Sequence, residues 1–163
     1  MTRKSVSILV CTVTVCASIA AAMAVMQGGR SGPDGRVIAQ AYIAGMESGN
    51  LDKLTALFRT DGRSSILENA SDEGSWEHYR DHHLKPEMEA AKNFRFTMAE
   101  ESEERFDEVI LVRQTGSFTV EVKGEMRRYR AAVSYIIITE DNQPRIAHLH
   151  WSSRPDQRAA TRP

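Results

Sequence analysis

The sequence predicts one α+β domain, with three helices in the first half of the mature chain and then an antiparallel meander that carries the helices on one face of a curved sheet. Three observations predict it. Apolar residues recur at helical spacing as far as Lys92, the period changes to two after Asn93, and turn-forming connectors separate the alternating stretches. The 163 residues, 41% of them hydrophobic, are enough for a single core.

The first segment is set apart by composition. Arg3 and Lys4 precede an uncharged run from Ser5 to Gln27, and Ala22-Met23-Ala24 has the small-x-small pattern of a cleavage site. Residues 1–24 therefore read as a signal peptide cleaved after Ala24, with an uncleaved membrane anchor as the alternative, since the run could cross a bilayer of about 30 Å. Neither Cys11 nor Cys16 follows the small residues that lipidation needs, and both fall inside this segment, so the mature chain lacks cysteine. The expected address is periplasmic or secreted, with membrane contact only if the segment stays attached. Residues 25–35 read as a linker, ending in Ser31-Gly32-Pro33-Asp34-Gly35.

From Arg36 to Glu47, Val37, Ile38, Ala41, Tyr42 and Ala44 repeat at helical spacing. Gly49 suits the residue after the helix, and Asn50 caps a second helix through Leu51, Leu54, Leu57 and Phe58. Asp61-Gly62 is a turn and Ser64 to Asn69 a short strand. Ser71 or Ser75 caps a third helix from Trp76 towards Lys92, with a kink expected at Pro86. Strands follow over Phe94 to Met98, Val109 to Thr115, Ser117 to Val122, Arg128 to Thr139 and Arg145 to Ser153. Their expected hairpin connectors are Gly116, Lys123-Gly124-Glu125 and Asp141 to Pro144. Residues 155–163 read as a flexible tail.

Composition excludes several functions. The 21 basic and 22 acidic side chains give a formal charge of −1, which leaves no surplus for nucleic acid. A mean hydropathy of −0.41 excludes a multi-span membrane protein. Ser64-Ser65 and Ser152-Ser153 lack a nucleophile elbow, Gly28-Gly29 is no phosphate loop, and no HExxH or CxxC occurs. No cofactor is expected.

Gly49-Asn50-Leu51-Asp52-Lys53-Leu54, with Leu57-Phe58 and Asp61, resembles the segment joining the first helices of the nuclear transport factor 2-like superfamily, in particular its SnoaL-like bacterial members. Trp76-Glu77-His78-Tyr79 with His83-Leu84-Lys85-Pro86-Glu87 resembles the third helix of exported members. The resemblance covers Val37 to Arg154 and implies a domain over residues 36–154. It implies a cone whose concave sheet and helices enclose a pocket, and a homodimer formed through the sheet. It does not imply one activity, since such proteins include isomerases, cyclases, dehydratases and binding modules.

Histidine carries the most chemical content. All five lie in two clusters, His78-His82-His83 on the third helix and His148-His150 on the last strand. At about 100° per residue, His83 shares the side of Trp76, Tyr79, Leu84 and Met88, whereas His78 and His82 fall opposite with charged neighbours. On the last strand His148 and His150 share a face with Ile146 and Ser152, while Ala147, Leu149 and Trp151 share the other. Both faces hold apolar residues, so the pattern leaves open which looks inward. With the histidine face inward, His83, His148 and His150 converge on the pocket, walled by Trp76, Tyr79 and Tyr135.

Such a cluster suits three tasks. It can hydrogen-bond a small-molecule ligand without chemistry, which is the leading expectation. It can supply a general base for an isomerase or hydro-lyase, with Asp61 or a tyrosine polarising the substrate. It can also hold zinc or copper with Glu68 as an oxygen donor, although no metal motif is present. A histidine–carboxylate pair in a closed-ended pocket would favour the enzyme, and a purely apolar cavity would favour carriage. Arg127, Arg128 and Arg130 read as a solvated sheet edge, while Arg154, Arg158 and Arg162 could touch an anionic envelope surface.

Overall fold

A computed structural model describes residues 34–157; the expected signal peptide, and the last part of the expected tail, lie outside the described residues. No helix among those described is long and apolar enough to cross a membrane.

Helix α1 (Gly35–Ser48) starts inside the stretch read as linker, capped by the Asp34 carboxylate, which accepts from the Arg36 N–H. It ends as its sequence requires. Gly49 takes the left-handed conformation at φ 63°, and its N–H closes onto the carbonyls of Gly45 and Met46. The Asn50 side chain then accepts from Lys53 N–H and starts α2 (Leu51–Thr55). That helix stops before the expected Phe58. Leu57 and Arg59 instead exchange backbone hydrogen bonds with Ile146, which lays the Phe58 ring against Trp76 at 4.1 Å and 9°.

Strand β1 (Ser65–Glu68) turns through Asn69 and Ala70 into β2 (Ser71–Gly74), a strand whose Ser-Asp-Glu-Gly sequence carries no strand signal. The third helix, α3, is a composite of Trp76–Tyr79, a π turn over Arg80–Leu84, and Lys85–Ala90. Ser75 is its cap, accepting from His78 N–H. The discontinuity expected at Pro86 takes the form of that π turn, in which Lys85 N–H reaches the Arg80 carbonyl, five residues back. Four long strands follow: β3 (Ala91–Phe106), β4 (Val109–Val122), β5 (Glu125–Glu140) and β6 (Gln143–Pro155).

The sheet order is β2-β1-β6-β5-β4-β3. All pairs are antiparallel except β1 with β6, which makes the sheet mixed. Bulges in β3 and at the β5–β6 pair bend it into a curved, unclosed α+β cone with the three helices against one face. The hairpins at Lys123-Gly124 and Asp141-Asn142 have positive φ at both central residues, the backbone a tight right-twisted hairpin demands.

Gly116 corrects the expected connectivity. It forms no turn but lies inside β4, paired with both Met98 and Ala131. A Cβ there would stand 2.4 Å from the Thr97 carbonyl oxygen, so glycine marks a close backbone approach beside the β3 bulge. The true β3–β4 turn is Asp107-Glu108, which follows Glu100, Glu101, Glu103 and Glu104 of β3.

The core lies between α1, α3 and the sheet. Tyr42, Leu54, Phe58, Ile66, Trp76, Tyr135, Ile137, Ile146 and Leu149 are fully buried there. Each such large apolar side chain contributes about 1.5–3 kcal/mol by leaving water.

Candidate functional site

The site is built where α3 crosses β1 and β2. Trp76, Tyr79 and Leu84 turn into the core and fix the rotation of α3. His83 is thereby carried to the β1–β2 side, half-buried and surrounded by carboxylates. Its Nδ1 is 3.2 Å from Glu73 Oε2, and its Nε2 is 3.3 Å from Glu87 Oε1 and 3.6 Å from Glu68 Oε2. Burial opposes a charged imidazole, but Glu68, Glu87 and Glu73 together outweigh it and raise the His83 pKa.

Glu68 is the inner member of the group. Burial pushes its pKa up, Tyr79 and His83 pull it down, Glu87 and Glu73 add to the rise, and the net direction is upward. The Tyr79 hydroxyl donates to Glu68 Oε2 at 2.7 Å. Burial first, then Tyr42 and Glu68, raise the Tyr79 pKa well above the ordinary phenol range, so it remains a donor. The Tyr79 ring lies 5.3 Å from the His83 ring, and behind them the buried Tyr42 hydroxyl has no hydrogen-bond partner.

A cavity of about 700 Å³ opens beside this group, with Glu68, Glu87 and Tyr79 on its wall. Part of its wall is aromatic. Phe94, Phe118, Tyr129 and Trp151 line it, with Phe118 stacked on Tyr129 at 5.0 Å and 5.8 Å from Trp151. The cleft thus combines an aromatic cluster with polar groups, among them the largely buried Glu68 carboxylate. It can hold a flat organic molecule and exchange one proton with it. Glu68, His83 and Glu87 also offer donor atoms within 4.8 Å of one another, the place among the described residues where a cation could sit.

The model of the SnoaL-like domain family matches residues 36–156. The chain belongs to that family. Among solved structures, this SnoaL-like domain is similar to a nuclear transport factor 2-like superfamily protein from Salmonella enterica, with TM-score 0.66 and 14% identity over 73% of this chain and 87% of that one. It is similar to a candidate ketosteroid isomerase from Shewanella frigidimarina, with TM-score 0.63 and 21% identity over 71% and 91%. A candidate dehydratase of the same superfamily from Streptomyces avermitilis gives TM-score 0.65 and 13% identity over 74% and 94%. At these identities the likeness is one of fold. No curated protein matches the chain.

Within the SnoaL-like domain, the residues singled out from sequence part company. His83 and Tyr79 are at the site, and Glu68 stands with them. His148 and His150 are not: Leu149 and Trp151 turn inward, leaving both histidines on the outer face of the sheet, so the expected three-histidine convergence does not form. His148 Nδ1 meets Ser65 Oγ at 2.8 Å, and burial, with His150 beside it, lowers its pKa. The metal set of His83 with those two imidazoles fails for the same reason.

Trp76 and Tyr135 are core residues rather than cavity walls. Trp76 Nε1 donates to Thr55 Oγ1 at 3.2 Å, and Tyr135 donates to Gln114 Oε1 at 3.0 Å. Asp61 is an exposed loop carboxylate held by Arg59 and Arg63. Slight burial raises its pKa, but those two arginines outweigh it and bring it down to about 2, which removes it as a buried base. The residues that sequence reasoning missed are Glu73, Glu87 and the aromatic wall. Glu87 had a signal, being four residues after His83 on the same helix.

Proposed function

We propose that this domain binds a small organic carbonyl compound in its cavity and moves a proton within it, as an isomerase or hydro-lyase. One observation carries the reading: the largely buried Glu68 side chain lines the cavity while held by Tyr79 and adjoining His83. Such a pair favours catalysis over the ligand carriage expected from sequence. Glu68 takes a proton from the carbon next to the carbonyl, its raised pKa bringing its basicity towards neutral pH. Tyr79 orients the carboxylate. His83 offsets the charge of its neighbours and, with Glu73 and Glu87 on the more exposed side, passes protons to water. Return of the proton to another carbon gives isomerisation; transfer to a departing hydroxyl gives dehydration. The names of the Shewanella and Streptomyces proteins fit these two outcomes. The domain acts outside the cytoplasm in this reading, after loss of residues 1–24, and a mature N-terminus at Val25, read by mass spectrometry of the exported protein, checks that part.

The test uses two probes that share one product. Cyclohex-3-en-1-one reaches the conjugated cyclohex-2-en-1-one by isomerisation, and 3-hydroxycyclohexanone reaches it by dehydration. Conversion of either by the full chain, followed by ultraviolet absorbance and lost in Glu68→Gln, supports proton transfer. Ligands that quench Trp151 fluorescence without turnover, and bind Glu68→Gln equally well, would return the domain to carriage.

A further inference from the structure

The outer face of the sheet carries a second feature, remote in character from the aromatic cavity. Arg130 of β5 and Arg154 of β6 are direct partners in the antiparallel ladder, so two like charges stand side by side. Facing cations on adjacent strands repel. Neither guanidinium makes a hydrogen bond or ion pair among the described residues. Arg128, one pleat away, differs in being held by Ser117 Oγ at 3.1 Å and Asp156 Oδ2 at 3.3 Å. The floor between them is made of Gly116, Ser117, Ala132 and Ser152, residues too small to fill the space, and a groove of about 580 Å³ results. Asp156 is the one acid lining it, set against three arginines.

We propose that this groove binds the phosphate group of a small soluble phosphate ester. Two unpaired guanidinium groups on neighbouring strands, both lining the groove, offer the planar, multi-donor chemistry that phosphate oxygens accept. Ser117 and Ser152 place hydroxyls in the same groove. The volume exceeds that of inorganic phosphate, and the exposed Met98 gives an apolar wall for the organic part. A bound dianion also removes the repulsion between Arg130 and Arg154. Adhesion to an anionic lipid surface is the lesser fit, because one of only three charges is already neutralised by Asp156.

The full chain is titrated with inorganic phosphate and with phenyl phosphate while the arginine Nε–H resonances are followed by NMR. Saturable shifts at Arg130 and Arg154, with phenyl phosphate the tighter ligand, are expected. Arg130→Gln and Arg154→Gln each weaken binding about tenfold. Both positions are exposed, so both variants fold, and their melting temperature without phosphate is unchanged or higher. Absence of saturation, equal binding by the double variant, or binding only to phosphatidylglycerol vesicles and to neither soluble phosphate would each overturn the proposal.

Discussion

Tyr79 donates its hydroxyl proton to Glu68 Oε2 across 2.7 Å, joining α3 to β1 on the wall of the cavity. The bond favours the ionised carboxylate, against the burial that opposes it. Tyr79→Phe therefore raises the Glu68 pKa further, and the acid limb of the pH–rate profile moves to higher pH. Loss of a hydrogen bond to a charged group also costs about 1.5–3 kcal/mol of folding stability, read by urea denaturation near neutral pH. A structural role alone gives the stability loss with no movement of the acid limb.

His83 links stability to pH. Burial lowers its pKa, yet Glu68, Glu87 and Glu73 raise it above the unfolded value, so the folded state binds the proton more tightly. The resulting stabilisation is fully present below the ordinary histidine pKa of about 6.5 and is lost as pH rises through the raised folded value. Stability from denaturant midpoints should thus fall across that window in the wild type. His83→Gln should flatten the slope there. An unchanged slope in the variant would assign the effect to another group.

Asp61 gives the opposite sign in a different pH range. Burial raises its pKa, but Arg63 and Arg59 together outweigh that and lower it to about 2, so its benefit is present above the ordinary aspartate range and is lost as pH falls towards about 2. The group is exposed and screened, so Asp61→Asn should change stability little at pH 7. Turnover of either cyclohexanone probe should be unaffected. A large loss of turnover would restore Asp61 to the chemistry.

How much of this was legible in the sequence follows from the range of the interactions. The inward direction of His83 was readable because Trp76, Tyr79 and Leu84 are large apolar residues on one helix, and local periodicity sets their common side. The direction of His148 and His150 was not. A bulge at the β5–β6 pair lets both Ile146 and Leu149 be buried, three residues apart, so strict alternation breaks at the point where it was needed. Glu73 was hidden for another reason: β2 has almost no strand propensity and exists because it pairs with β1, a tertiary cause that no local pattern reports. Phe94, Phe118, Tyr129 and Trp151 read as strand residues, but their meeting on one wall depends on register across four strands.

Gly116 tests the register itself. Read locally, a glycine between two strand-like runs marks a turn; in the sheet it is the residue over which the bulged β3 backbone passes. An added Cβ would sit 2.4 Å from the Thr97 carbonyl oxygen and 2.9 Å from the Phe96 ring. The first of these is backbone, held in the β3–β4 ladder, and cannot rotate away. Gly116→Ala should accordingly cost about 1–3 kcal/mol, the range for inserting a methyl group into a filled site. Denaturant unfolding measures the loss. Because Phe96 packs against Trp151 at 6.1 Å, the same substitution should also disturb the aromatic wall and shift Trp fluorescence in the folded protein. A turn at Gly116 would instead tolerate alanine with no spectral change, and would require a different pairing of every residue from Ala91 to Val122.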